Sequence, residues 1–202
     1  GVRVAHLACF GAVGATGFIV LLVNNPNRMG RIFAFLDPEK HAQGEAWQLI
    51  NALNAFASGG AYGTGLGNSI QKYHYLPEAH TDFIFPIIGE ELGLIATVSI
   101  ILLFMVIFVC GLLIAGRAED DFGRFTALGC TLMITLQALI NLAVVTGSMP
   151  TKGLALPFIS YGGSSLLVCS SMIGLLINVA HTVRSPKAKK RGELFKDRKC
   201  RA

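Results

Sequence analysis

Four stretches of the chain are apolar for long enough to decide its class. Val4 to Val23 holds one ionisable residue, His6. Leu92 to Ala115 holds none, and Phe125 to Thr146 holds none but carries Gln137 and Asn141. Gly162 to Ala180 is rich in small residues, with Ser164, Ser165, Ser170, Ser171 and Asn178. A bilayer core takes about 20 such residues to cross. Backbone amides inside lipid must be satisfied within their own segment, so the four runs are predicted as helices, not strands. The pattern predicts an all-α, polytopic membrane bundle over residues 1–183, followed by a polar tail over 184–202.

The segment from Asn24 to Glu91 is too long for a connection without structure of its own. Asn24, Asn25, Pro26 and Asn27 form a turn cluster, and the chain breaks again near Asp37 and Pro38. From Glu45 to Ser58 the pattern turns helical. Trp47, Ile50, Leu53 and Phe56 form an apolar stripe, and Gln48, Asn51, Asn54 and Ser58 a polar one. This stretch is too short to span, which leaves it lying in the interface or dipping against other helices. Gln137 and Asn141, four apart, share one face of their helix. Two readings stay open for them, helix-to-helix hydrogen bonding and the lining of a substrate cavity.

Composition agrees with the pattern. The chain of 202 residues is 52% hydrophobic and 14% charged, against about 25% charged in an ordinary soluble domain. Nine of its 17 basic residues fall between Arg184 and Arg201, opposed there by Glu193 and Asp197 alone. The net charge of +5 therefore belongs to the tail, and nucleic-acid binding is not indicated. Lys and Arg near span ends favour the cytoplasm. The tail, the Gly116 to Arg124 loop and Arg3 are then inside, while 24–91 and the Gly147 to Tyr161 loop are outside; Arg28 and Arg31 go against the rule. Cys9, Cys110, Cys130, Cys169 and Cys200 show no CxxC spacing and no disulfide framework. The chain opens on Gly1 almost directly into an apolar run. It lacks a signal peptide's layout and reads as part of something longer.

Candidate chemistry lies in the two outer segments. Gly59 to Ser69 is glycine-rich but ends in no Gly-Lys-Ser/Thr and has no βαβ context, so it is not a nucleotide loop. Its glycines allow tight turns and close backbone approach, to a partner the sequence does not identify. Tyr75 to Pro86 places Glu78, His80 and Asp82 immediately before an apolar run, with Glu90 and Glu91 following. Ionisable groups at a membrane boundary are functional candidates. Asp82, flanked by Phe83, Ile84 and Phe85, is expected to have a raised pKa suited to a general base. Capping of the next helix by Asp82 or Thr81 explains the spacing equally well. Pro86, four residues on, cannot donate to the Asp82 carbonyl, so local irregularity is expected there. His74, Glu78, His80 and Asp82 match no zinc pattern. In the other outer segment Lys152 is the one charge between two spans. It suits a phosphate or a snorkelling anchor.

Several motifs together resemble the FtsW/RodA/SpoVE family. They are Ala34 to Pro38, Gly63 to Ser69, Tyr75 to Phe85, Gly89 to Gly93, and Pro150 to Ser165, in order and over nearly the whole chain. Ala79-His80-Thr81-Asp82 and Pro150-Thr151-Lys152-Gly153 resemble the division branch, FtsW, more than the elongation branch, and Pro86 stands where the family pattern leads one to expect Ala. The resemblance implies a bundle of about ten helices, of which this chain supplies the last four with a long extracytoplasmic loop containing short helices. It implies an inverting glycosyltransferase that polymerises lipid II into β-1,4 glycan strands for septal wall synthesis, with the isolated half inactive. It implies Asp82 as the catalytic base and Lys152, His80, Glu78 and Ser160 on the substrate side. No protein-built metal site follows, although a Mg²⁺ or Mn²⁺ ion shared with the substrate pyrophosphate is compatible. Implied partners are a class B penicillin-binding protein and other division proteins. The implied location is the bacterial cytoplasmic membrane at the septum, with both ends of the chain cytoplasmic. A lipid II transporter and a non-catalytic scaffold are the rival readings.

Overall fold

The computed structural model describes residues 4–38, 40, 44, 46–69 and 81–184. Among them are six helices and no strand: α1 (Val4–Val23), α2 (Pro26–Leu36), α3 (Trp47–Gly59), α4 (Ile84–Arg117), α5 (Asp121–Val145) and α6 (Gly163–Arg184). Three of these, α4, α5 and α6, are long and apolar enough to cross a membrane, where four were predicted. The fourth predicted run, Val4 to Val23, coincides with α1, a helix of 20 residues. The basic tail lies outside the described residues.

α4 is the spine. It packs on α5, α3 and α6, and α5 also packs on α6. Its contact with α5 is close because Gly111 faces Thr131: a Cβ at Gly111 would sit 2.0 Å from Thr131 Oγ1. The main core gathers Phe83, Phe85, Phe104, Ile134, Val145 and Leu156, and a smaller one at the far end joins Ala115, Ala127 and Leu176.

α4 begins at Ile84, eight residues before the predicted span start at Leu92. Between them Glu90 is fully buried and accepts a hydrogen bond from Ser69 Oγ. α4 is also broken at Gly93, which adopts φ 77° and ψ −172°, a region open essentially to glycine alone.

The break releases backbone groups that an unbroken helix would pair, and the glycine-rich turn takes them up. The Glu90 carbonyl accepts from Thr64 N at 2.9 Å and from Thr64 Oγ1 at 3.0 Å. The Glu91 carbonyl accepts from Gly65 N, and Leu94 N donates to the Gly60 carbonyl, each at 3.0 Å. The glycines approach another helix, which answers the question left open by the sequence. Close approach demands them: a Cβ on Gly63 would lie 2.2 Å from the Glu91 carbonyl oxygen.

The apolar stripe of α3 divides between the inside and the outside of the bundle, with Phe56 packed on the main core. Trp47 and Leu53 of the apolar stripe are exposed, while Leu49, Asn51, Ala52, Ala55 and Gly59 are buried. Small residues win the inner face because α3 lies hard against α4: a Cβ at Gly59 would be 2.0 Å from the Gly89 carbonyl oxygen. In membrane bundles small residues mediate such contacts, and large apolar ones gain nothing by turning inward from lipid.

Candidate active site

The site forms where α4 begins and α5 ends. Two irregular segments meet there, the turn at 81–83 and the stretch 150–162 between α5 and α6.

Pro86 is the third residue of α4 and has no N–H. The Asp82 carbonyl, four residues earlier, therefore has no helical donor. Asn141 of α5 supplies one: its Nδ2 donates to the Asp82 carbonyl at 2.9 Å. The same nitrogen donates to the Leu154 carbonyl. One turn earlier, Gln137 Nε2 donates to the Ala155 carbonyl at 2.9 Å. The shared face predicted for Gln137 and Asn141 is present, and what it holds is loop backbone together with the carbonyl of Asp82. Asn141 is buried at 2% exposure, where a hydrogen bond left unmade costs about 1–3 kcal/mol. Its Nδ2 makes two such bonds, while its Oδ1 is buried with no partner among the described residues.

The Asp82 side chain faces that same loop. A Cβ added to Gly153 would stand 3.1 Å from Asp82 Oδ2. The carboxylate thus lies against the Gly153 backbone, one residue from Lys152. Asp82 is half-buried and Lys152 exposed. Lys152 makes no ion pair among the described residues, where the one ion pair found joins Lys40 to Asp37 at 2.9 Å. The N-cap position of α4 is Phe83, with no side-chain cap. Thr81 and Asp82, the two residues of the capping alternative, both precede that position.

Ser160 sits in the turn that closes this loop. Its Oγ accepts the Leu156 N–H at 2.7 Å, and its own N–H returns to the Leu156 carbonyl at 3.1 Å. Phe158, within that turn, has φ 65°, a left-handed conformation costing a non-glycine residue about 1–2 kcal/mol. Glu78 and His80 lie outside the described residues. Among the described residues no three His, Cys, Asp or Glu side chains gather into a cation site.

Sequence reasoning missed the roles of Gly153 and Asn141 at Asp82, because both are contacts between distant segments. It also treated Arg31 only as an exception to the charge rule. In the structure Arg31 Nη1 reaches the Thr151 carbonyl at 3.5 Å, placing α2 over the same loop.

The chain resembles known proteins over nearly all its length. It is 48% identical over 180 residues to the probable peptidoglycan glycosyltransferase FtsW of Trichlorobacter lovleyi, covering 89% of this chain and 47% of that protein. It is 46% identical over 184 residues to the stage V sporulation protein E of Bacillus subtilis, covering 91% and 50%. The chain spans about half the length of the curated relatives it matches. Its fold matches a chain of a solved peptidoglycan synthase complex with a TM-score of 0.63 at 24% identity, over 88% of this chain and 48% of that one. The family model described as cell cycle protein, FtsW/RodA/SpoVE, matches residues 1–185, and the chain belongs to that family.

Proposed function

We propose that the protein containing this chain is a peptidoglycan glycosyltransferase that polymerises lipid II into β-1,4 glycan strands during cell division. The observation that carries this reading is the position of the Asp82 carboxylate against Gly153, one residue from a cation, Lys152, that is free of ion pairs among the described residues. Glycosyl transfer needs a base on one side of the anomeric carbon and positive charge on the other.

Asp82 removes the proton from the 4-hydroxyl of the acceptor GlcNAc. The oxygen attacks C1 of the donor sugar, the bond from C1 to the pyrophosphate oxygen breaks, and the anomeric centre inverts. Lys152 meets the charge growing on the departing undecaprenyl pyrophosphate. Ser160, with Glu78 and His80, belongs to the sugar side. Both outer loops open to the extracytoplasmic face of the cytoplasmic membrane, in accord with the basic residues of the other ends. The enzyme works at the septum beside a class B penicillin-binding protein and other division proteins, and this half alone is inactive.

The test is Asp82→Asn in the full-length protein. Polymerisation of purified lipid II should fall by about 10²–10⁴-fold, the usual contribution of a general base, while lipid II binding persists. Normal polymerisation by the mutant removes Asp82 from the mechanism. A wild type that moves lipid II across a bilayer without making polymer is a transporter. Cells that divide normally with Asp82→Asn contain a scaffold.

A further inference from the structure

Arg31 stands on the side of the membrane where the charge rule disfavours it. α2, its helix, carries no acidic residue. The guanidinium makes one contact among the described residues, the long one to the Thr151 carbonyl at 3.5 Å. It is exposed and forms no ion pair there. The next residue along the loop is Lys152, equally without an ion pair, and the residue after that lies against Asp82. Two cations from segments 120 residues apart therefore converge on one short loop, neither neutralised by a described carboxylate.

Two positive charges over one loop, without an ion pair among the described residues, repel each other, and such a pair is at its most stable with an anion between them. An arginine also presents donors in a planar fork that matches phosphate oxygens, where a lysine offers a point charge. We propose that Arg31 and Lys152 form a two-cation subsite for a pyrophosphate group, with Arg31 as the specificity-determining half. The inference rests on the glycosyltransferase reading for the identity of the natural ligand, but the subsite itself is defined by the two cations. It accounts for Arg31 as a functional exception to the charge rule, since a group that binds an outer phosphate must stand outside.

The experiment uses the full-length protein in lipid nanodiscs and inorganic pyrophosphate as probe. The rate at which an amine-reactive reagent modifies Lys152 is followed by peptide mapping as pyrophosphate is added. Pyrophosphate is expected to protect Lys152 in the wild type, and less so as salt is raised. In Arg31→Gln the concentration giving half protection should rise about tenfold, and Arg31→Lys should recover part of the loss. Arg31→Lys keeps the charge and carries the test if Arg31→Gln does not fold. Equal protection in wild type and Arg31 variants overturns the proposal, as does absence of protection in the wild type. Lipid II polymerisation is measured on the same wild-type preparation. Polymerisation without protection sinks the subsite and leaves the enzyme. Protection without polymerisation keeps the subsite and sinks the enzyme.

Discussion

Asp82 divides its work between backbone and side chain. Its carbonyl is held by Asn141 because Pro86 offers it no N–H, and its carboxylate rests against Gly153. The first contact fixes the backbone of the residue, and the second sets its carboxylate against the loop. Gly153 is the sensitive point, since a methyl there would come within 3.1 Å of Asp82 Oδ2 and push it by a few tenths of an ångström. Misplacement of a catalytic group by about 1 Å can cost about 10²-fold. Gly153→Ala in the full-length protein should therefore slow lipid II polymerisation about tenfold with little change in melting temperature. Unchanged turnover would mean that the carboxylate does not work from this position. Part of this site was legible in the sequence: Pro86 announced a free carbonyl, and the spacing of Gln137 and Asn141 announced a common polar face. The Gly153 contact was not, because nothing local in Lys152-Gly153-Leu154 reveals which side chain folds against it.

At the scale of elements, the break in α4 and the glycine-rich turn are one unit. Gly93 leaves the helix, and the turn from Gly60 to Gly65 pairs the backbone groups that the break sets free. In a membrane such groups have few other partners, and each one left unpaired costs several kcal/mol. Gly93→Ala should forfeit the unit. Its Cβ would meet the Ala61 carbonyl oxygen and Gly63 N at 2.5 Å, and its φ of 77° would be strained besides, together a loss of at least about 2–3 kcal/mol. The expected reading is a clear drop in the melting temperature of the full-length protein. Gly129→Ala serves as the control. It sits inside α5 with nothing within 4 Å of an added Cβ and should be neutral or stabilising by about 0.5–1 kcal/mol. A melting temperature for Gly93→Ala equal to that control would dissolve the unit. Helix existence was readable from apolar runs, and so was the polar face of α5, but what each side of α3 packs against was not. Glu90, just before the predicted span, is buried, and the small Ala52 and Ala55 are buried where the larger Trp47 and Leu53 are exposed. Hydrophobicity predicts burial in water, while packing density and internal pairing decide it in lipid.

At the scale of the whole molecule, the described helices leave much of their apolar surface uncovered. Leu103 of α4 is 63% exposed and Leu167 of α6 is 71% exposed. Surface of this kind is unsuited to water and suited to lipid or further helices. The chain spans about half the length of the curated relatives it matches. The mechanism then depends on which way the bundle faces, and α5 gives the means to decide. Its two ends carry the site-side loop with exposed Met149 and the opposite loop with exposed Glu119. If α5 crosses the membrane with its C-terminal end outward, as the basic tail after α6 directs, the two positions report opposite sides. In full-length protein whose native cysteines are replaced by alanine, a membrane-impermeant maleimide should label Met149→Cys on intact spheroplasts. Glu119→Cys should react only after lysis. Labelling of both before lysis would deny that α5 spans. The reverse pattern would turn Asp82, Lys152 and Arg31 toward the cytoplasm, where a growing glycan strand could not leave the membrane on the wall side.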